Sequence, residues 1–239
     1  MKVAIDGPAG CGKSTIARMI AESLGFLYIN SGNLYRAVAW LAIQNGIDWK
    51  DGANLTALVK QHHFDYRTDG AVIVDGKALL PELRTPEVDA IVAQVSAIPS
   101  VREEVNAIIR TIAEGKDVIS EGRDITTVVF PDAEVKFYLD ARPEVRAERR
   151  YREQTGTAPD SQPGKGGTSA EAGPARKPSL EEVLKNIEMR DAIDTGKAVG
   201  ALKKAEDAEY LDTSGLTIAQ VYEKVYNKIL TVRNAHGRK

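Results

Sequence analysis

The sequence predicts an α/β fold in which helices cover both faces of a mainly parallel sheet. Strand-like apolar runs alternate with segments of helical periodicity along most of the chain, and a glycine-rich turn joins the first strand to the first helix. The chain has 239 residues, of which 43% are hydrophobic and 28% are charged, as in an ordinary globular protein. This length suffices for one core with appendages.

The predicted elements follow one another in a regular order. The apolar run at residues 3–5 is followed by the glycine-rich turn and by apolar residues at helical spacing over residues 14–24. Ser179 and Glu182 have the spacing of a capping box, which predicts a helix from Ser179 to about Arg190. Strands are predicted at residues 3–5, 26–29, 118–120, 135–139 and 209–211, and further helices at 31–44, after Pro143 and from Thr217.

Two segments interrupt the alternation. Residues 64–80 contain β-prone runs separated by Asp69-Gly70 and Asp75-Gly76, which predicts a small antiparallel meander inserted into the fold. Residues 154–178 are rich in Gly, Pro, Ser and Thr and contain no Val, Ile, Leu or aromatic residue, so we expect a mobile loop there.

Composition and charge exclude several classes of protein. The formal net charge is only −2, and any basic site must be local, such as the arginine-rich run at 142–152, so we expect no nucleic-acid partner. There is no CxxC or HExxH spacing, and the lone Cys11 cannot form an internal disulfide. Since no uncharged apolar stretch reaches about 18 residues, we expect a cytoplasmic protein without a membrane partner. We also expect a monomer.

The glycine-rich turn fits a phosphate-binding loop at every fixed position of GxxxxGK[ST], and it lies between a predicted strand and a predicted helix. Glycines let the backbone N–H groups converge on phosphates, while a lysine reaches the β and γ oxygens and a serine can bind Mg²⁺. The alternative is an ordinary turn with an incidental lysine. Asp6 before the loop is interpreted as a turn residue, with a supporting role beside a bound metal or acceptor as the alternative. The predicted ATP-binding residues are Gly7, Pro8, Ala9, Gly10, Cys11, Gly12, Lys13, Ser14 and Thr15.

The rest of the chain decides what happens to the nucleotide. The Asn/Thr-Lys-x-Asp motif with which GTPases read their base does not occur after the loop. Small-molecule kinases instead surround an acceptor pocket with arginines and close a basic lid over the phosphates. The sequence therefore favours a small-molecule kinase.

Six motifs are spread over nearly the whole chain: GPAGCGKST at 7–15, NSGNLYR at 30–36, PELRTPEV at 81–88, VSAIPSVRE at 95–103, SEGRDITTVVFPDAEVKFYLDA at 120–141 and RDAID at 190–194. In order and spacing they resemble the bacterial cytidylate kinase family. The resemblance implies the three-layer fold of P-loop NTPases, with a five-stranded parallel sheet, an inserted antiparallel acceptor subdomain and a helical lid. It also implies ATP and CMP or dCMP as substrates and Mg²⁺ as cofactor. The implied units are a core of residues 1–30, 115–141 and 205–239, an acceptor region of residues 31–114 and a lid of residues 142–204.

The resemblance also implies roles on the acceptor side. Ser31 and Arg36 match ligands of the acceptor phosphate, for which the alternatives are a helix N-cap and a solvated helix face. Arg102 and Asp124 match the residues that read cytosine, and their chemistry agrees, because cytosine offers acceptors at O2 and N3 and a donor at N4. The alternative for Asp124 is an ion pair with Arg123. Further implied pocket members are Arg123, Arg190 and Asp194.

On the ATP side, the resemblance implies that Ser14 binds Mg²⁺ and that Glu121 holds a Mg²⁺-bound water. Arg146 and Arg150 lie at helical spacing in the predicted lid and match arginines that reach the transferring phosphoryl group. The alternative is a solvated helix face with Glu144 and Glu148 as partners. The implied catalytic residues are Lys13, Arg146, Arg150 and Arg190.

The chain departs from the family pattern in three places. Ala93 stands where the family has a serine that helps to hold the base, so that this contact is either missing or made by Ser96. Lys197 replaces an arginine, which keeps the charge but loses the bidentate fork. The lid also contains the expansion at 154–178. Two other readings stay open at this point: a kinase for UMP, shikimate or dephospho-CoA, and an ATP-dependent switch that acts through a partner.

Overall fold

A computed structural model describes residues 1–155, 178–235 and 237. It confirms the α/β fold and the five-stranded parallel sheet, whose strand order is β2-β6-β1-β7-β8. In chain order the elements are β1 (Lys2–Asp6), α1 (Lys13–Leu24), β2 (Leu27–Asn30), α2 (Ser31–Gln44), α3 (Gly52–Gln61), β3 (Phe64–Tyr66), β4 (Val72–Val74), β5 (Lys77–Leu79), a 3-10 turn (Pro81–Arg84), α4 (Pro86–Val95), α5 (Pro99–Ala113), β6 (Val118–Gly122), a π-helical turn (Ile125–Val129), β7 (Val135–Asp140), α6 (Pro143–Thr155), α7 (Leu180–Gly196), β8 (Glu209–Asp212) and α8 (Ile218–Ala235).

The register of the parallel sheet gathers polar residues at one edge. Asp6 at the end of β1 is level with Gly122 of β6 and Tyr138 of β7, and Asn30 at the end of β2 is level with Glu121. The carboxyl ends of parallel strands therefore meet at this edge, which is where ligands bind in open α/β sheets.

Two apolar clusters cover the two faces of the sheet. On β1, Val3 and Ile5 belong to the cluster that contains α1 and α8, whereas Ala4 belongs to the cluster that contains α2, α4 and α5. This division follows from the alternation of side chains along a strand. Because both faces are covered, the central strands are buried along their length, which holds the polar edge in a fixed place.

The inserted segment forms the predicted antiparallel meander, in the order β3-β4-β5. Asp75 and Gly76 connect β4 to β5 with φ angles of 48° and 80°. Two successive residues with positive φ form the kind of hairpin turn that matches the twist of the strands, and Asp-Gly is a preferred pair for it.

Helices α6 and α7, which belong to the predicted lid, pack through Ala147, Val183 and Ile187. The predicted capping box is present, because Ser179 Oγ accepts from the Glu182 amide at 3.2 Å and the Ser179 amide donates to Glu182 Oε2 at 2.7 Å. α7 continues to Gly196, beyond the predicted end near Arg190.

The loop predicted at residues 154–178 lies mostly outside the described residues, which omit 156–177. Its first two residues belong to α6, so the loop boundary was placed too early. Thr155 Oγ1 donates to Tyr151 O at 2.8 Å in the last turn of that helix. None of the helices in the described ranges has the length and apolarity needed to cross a membrane.

Candidate active site

The glycine-rich loop has the geometry of a phosphate cradle. It connects β1 to α1, and Gly10 and Gly12 have φ angles of 80° and 98°. A Cβ at Gly7, where φ is +151°, would lie 1.9 Å from Leu139 O. The loop therefore needs glycine for both its conformation and its close packing.

Lys13 lies over this loop. Its ammonium donates to Pro8 O at 2.7 Å, and its side chain is buried. Burial lowers the pKa of Lys13 below its ordinary value of 10.5. A buried cation that folds back on a loop of glycine amides is placed to neutralise phosphate oxygens.

Glu121, at the end of β6, links the loop to the acceptor side. Its Oε1 accepts from Ser14 Oγ and Asn30 Nδ2, both at 2.6 Å, and from Tyr28 OH at 3.1 Å. Its backbone carbonyl accepts from Ser31 Oγ at 3.0 Å. One residue thus contacts both the last part of the phosphate loop and the first residue of α2.

All of the predicted acceptor residues line one cavity. The space between these side chains is about 550 Å³, including the solvent-filled opening. Helices α2, α5 and α7 and the end of β6 contribute to its wall. The predicted residues that line it are Ser31, Arg36, Arg102, Arg123, Asp124, Arg190 and Asp194.

At the start of α2, the structure rejects the alternative readings of Ser31 and Arg36. The N-cap is Asn30, whose side chain accepts from the Asn33 amide at 3.2 Å, so Ser31 is free to point its hydroxyl at Glu121 O. Arg36 is buried rather than solvated, and it pairs with Asp89 at 2.6 Å.

At another part of the cavity, Arg102 and Asp124 form a buried ion pair of 2.5 Å. Arg102 NH1 also donates to Ser96 O at 2.7 Å, and its guanidinium lies 5.3 Å from the centre of the Tyr35 ring. The alternative that pairs Asp124 with Arg123 is therefore wrong. Adjacent side chains at the end of β6 diverge, and Asp124 reaches α5 instead.

Arg123 pairs with Asp194 of α7 at 2.6 Å, and Lys197 donates to the other carboxylate oxygen at 2.8 Å. Burial alone would raise the pKa of Asp194, but Arg123 and Lys197 lower it to about 2. This carboxylate consequently stays ionised and holds two cations at the wall of the cavity.

Arg190 lines the cavity, is half-buried, and has no ion-pair partner within 4.0 Å among the described residues. The pKa of Arg190 is lowered to about 10, mainly by burial and next by the positive charge of the nearby Arg123. Arg36 and Arg150 act on it in the same direction. An unpaired guanidinium among other cations indicates a place for an anion.

The lid arginines differ from one another. Arg146 is buried and bridges the phosphate loop to α7, with NH1 donating to Ala9 O at 3.1 Å and NH2 to Asp191 at 2.6 Å. The solvated reading is therefore wrong for Arg146. The solvated reading fits Arg150, because this side chain is half exposed and pairs with Glu153 rather than with Glu144 or Glu148.

Sequence reasoning missed the role of Asp6. This carboxylate is fully buried and accepts from the Ile125 amide at 2.9 Å, the Thr126 amide at 2.7 Å and Thr126 Oγ1 at 2.6 Å. Burial raises its pKa to about 6. Asp6 is thus not a simple turn residue, because it fixes the π-helical turn that follows Asp124. The available signal was a carboxylate at the end of a buried strand.

Arg84 was also missed. It follows the inserted meander, donates to Asn33 Oδ1 at 3.0 Å, and has a pKa lowered by burial and by the charges of Arg36 and Arg150. These couplings place another cation beside the start of α2. The motif PELRTPEV contains Arg84, but nothing in the sequence indicated that this side chain lies beside the start of α2.

Comparisons with known proteins find one family. A family model described as cytidylate kinase matches residues 3–163 and 168–231. A cytidylate kinase of Pelotomaculum thermopropionicum is 39% identical over 99% of this chain and 97% of its own length. A cytidylate kinase of Solibacter usitatus is 40% identical over 99% of this chain and 94% of its own length. An uncharacterized protein from Eubacterium ventriosum, of known structure, has a TM-score of 0.50 at 10% identity, covering 96% of this chain and 98% of its own, and shows a shared fold alone.

Proposed function

The chain belongs to the cytidylate kinase family and has cytidylate kinase activity, and from this premise we propose how its residues divide the work. The glycine-rich loop binds ATP, the cavity beside it binds CMP or dCMP, and the γ-phosphoryl group passes between them. Arg102 and Asp124 read the cytosine, and the arginines and Lys13 neutralise the phosphates.

The observation that carries this proposal is the position of Glu121. Its carboxylate contacts Ser14 of the phosphate loop at 2.6 Å, and its carbonyl contacts Ser31 of the cavity at 3.0 Å. A triphosphate on the loop and a phosphate at Ser31 would consequently lie next to each other. Direct transfer depends on such proximity, because two reactants held in line react as one molecule.

The acceptor needs no general base, because a phosphate oxygen of CMP is already ionised. That oxygen forms a bond to the γ-phosphorus while the bond from this phosphorus to the β,γ-bridging oxygen breaks, and ADP keeps the electron pair. Lys13 and Arg190 stabilise the charge that spreads over the transferred group. Arg146 holds the loop and α7 together, and Arg150 adds positive charge near Arg190 and Arg84.

The residues near the loop fit Mg²⁺. Ser14 Oγ and the Glu121 carboxylate offer oxygen ligands only, 2.6 Å apart, as this hard cation prefers. The described residues contain no cluster of three or more His, Cys, Asp or Glu that could hold a metal ion by themselves. Ser14 would therefore bind the ion directly and Glu121 through water, and the ion would neutralise charge on the ATP phosphates.

The cytosine base is recognised by the oppositely charged side chains of Arg102 and Asp124, which form an ion pair. The Arg102 guanidinium donates to O2 and N3 of cytosine, and the Asp124 carboxylate accepts from N4. Both side chains are buried, so an incorrect edge would leave polar groups unpaired without water. This arrangement favours CMP over UMP, in which N4 is replaced by an acceptor.

An ADP-release assay with CMP, dCMP, UMP, AMP and GMP tests the proposal. We expect turnover with the two cytidine nucleotides far above the others. Arg102→Ala should raise KM for both CMP and UMP by roughly 10- to 100-fold, since it removes hydrogen bonds from a charged donor to an oxygen that both bases carry.

Arg110→Ala is the matched control. Arg110 lies on the same helix α5, but it donates to the carbonyls of Val128 and Val129 outside the cavity. The Arg110→Ala substitution should leave KM for CMP and KM for UMP unchanged. ADP release that is independent of any acceptor would contradict the proposed transfer.

A further inference from the structure

We propose that residues 197–202, here called the strap, position Arg102 in the cavity, and that Gly200 is the residue on which this positioning depends. The strap follows α7 and leads towards β8. It is separated from Arg102 by about a hundred positions in the sequence, yet it lies directly against that side chain.

Gly200 makes the contact. A Cβ on Gly200 would lie 2.3 Å from NH2, 2.4 Å from Cζ and 2.4 Å from Nε of Arg102. Its φ of +66° is also in the left-handed region, which side chains other than glycine rarely adopt. Only glycine therefore lets the backbone of the strap approach the guanidinium this closely.

The strap is fixed on both sides of Gly200. Lys197 Nζ donates to Asp194 Oδ1 at 2.8 Å and to Ser96 Oγ at 3.3 Å, so it connects the end of α7 to the end of α4. The Leu202 amide donates to Asp194 O at 2.8 Å, and the Leu202 side chain is buried. These contacts fix the path of the strap across the end of the cavity where the nucleobase is proposed to bind.

Arg102 is thereby held from several directions. Asp124 and Ser96 O accept from its two terminal nitrogens, the Tyr35 ring lies 5.3 Å from Cζ, and Gly200 lies against Nε, Cζ and NH2, while the side chain still lines the cavity. Each alternative rotamer of an arginine costs binding free energy when a substrate must select one of them. A guanidinium held in this way is organised before the nucleotide binds.

This inference rests on the proposed role of Arg102 in reading the base. It extends that role, because it makes the segment after the lid a determinant of acceptor binding. Gly200 itself is a positioning residue, since it acts through Arg102 and touches no substrate atom.

The test is Gly200→Ala. A methyl group there displaces the guanidinium, so we expect KM for CMP to rise about tenfold with little change in KM for ATP, as for a loss of binding that does not involve the reacting atoms. Gly115→Ala is the matched control for backbone strain, because Gly115 has a φ of +68° and no atom within 4 Å of an added Cβ. Gly196→Ala controls for an added methyl group near the strap, since Gly196 also has open space around it.

A double-mutant cycle with Arg102→Ala shows whether Gly200 acts through Arg102. Gly200→Ala should add no further rise in KM for CMP to a protein that already lacks Arg102. An additive effect, or an effect no larger than that of Gly115→Ala, would overturn the inference. An unchanged KM for CMP in Arg102→Ala alone would overturn the proposed base reading, so the two failures are distinguishable.

Leu202→Ala is a second variant, for use if Gly200→Ala does not fold. It removes the buried side chain that helps to anchor the strap, keeps the backbone hydrogen bond to Asp194 O, and places no atom near Arg102. We expect a smaller rise in KM for CMP, which again disappears in the Arg102→Ala background. A KM for CMP equal to that of the unmodified protein would count against the strap.

Discussion

The substitution Asp124→Asn separates the two tasks that the structure gives to this carboxylate. Asp124 pairs with Arg102 at 2.5 Å, and both side chains are buried. Removing one partner of a buried ion pair costs about 3–5 kcal/mol. The asparagine oxygen still accepts from Arg102, and a hydrogen bond to a charged group contributes about 1.5–3 kcal/mol. We therefore expect a net loss of about 2 kcal/mol, which lowers Tm by roughly 4–8 °C in a chain of this size.

The same substitution changes base choice. Uracil O4 faces the Asp124 carboxylate as one acceptor against another, whereas an asparagine amide can donate to it. We expect kcat/KM for CMP to fall and the preference for CMP over UMP to narrow by about tenfold or more, which corresponds to about 1.4 kcal/mol.

The assay compares kcat/KM for CMP and UMP, together with thermal unfolding. Asp207→Asn is the control, because Asp207 also pairs with a cation, Lys136, at 2.6 Å but has a 64% exposed side chain. It should cost less than about 1 kcal/mol and leave the base preference unchanged. If Asp124→Asn lowers Tm but keeps the CMP/UMP ratio, then Asp124 only holds Arg102 and the base is read elsewhere.

Three further predictions concern the loop, the sheet edge and the lid. Lys13→Ala should abolish phosphoryl transfer with unchanged circular dichroism, because the lysine stabilises transferred charge, and near-normal ADP release would contradict the mechanism. The folded pKa of Asp6 is about 6 against an ordinary 3.8, so the native state binds the additional proton between these values, and this residue's contribution to stability falls as pH rises from about 4 to about 6. The contribution of Asp6 to the free energy of unfolding should fall by on the order of 3 kcal/mol over this range. Urea unfolding of the unmodified protein and of Asp6→Asn at several pH values should show this difference. If the free energies of unfolding of the two proteins change in parallel with pH, the prediction is refuted. Replacing residues 156–177 by a short Gly/Ser linker should change Tm by only a few degrees, because the segment has no Val, Ile, Leu or aromatic residue to bury, and a large loss would show that it packs.

The sequence alone determined the features that depend on local pattern. The first strand and the first helix follow from the spacing of apolar residues. The loop between them follows from the fixed glycine, lysine and serine positions of the phosphate-binding motif. The hairpin at Asp75-Gly76 and the capping box at Ser179 are likewise set by a few neighbouring residues. Three helices, α3 (Gly52–Gln61), α4 (Pro86–Val95) and α5 (Pro99–Ala113), were not assigned, although α5 repeats buried residues at helical spacing.

Only the tertiary structure decided which side chains meet. Arg123 and Asp124 are neighbours in sequence, yet Asp124 pairs with Arg102 of α5 and Arg123 with Asp194 of α7. Asp6 binds a turn that lies 119 positions further along the chain, and Gly200 lies against Arg102. The family resemblance indicated that Arg102, Arg123, Asp124 and Asp194 belong to one site, but it did not include Asp6 or Gly200. The choice of partner depends instead on the path of the backbone and the direction of each side chain, because an ion pair forms only between groups that the packed core brings within a few ångströms of each other.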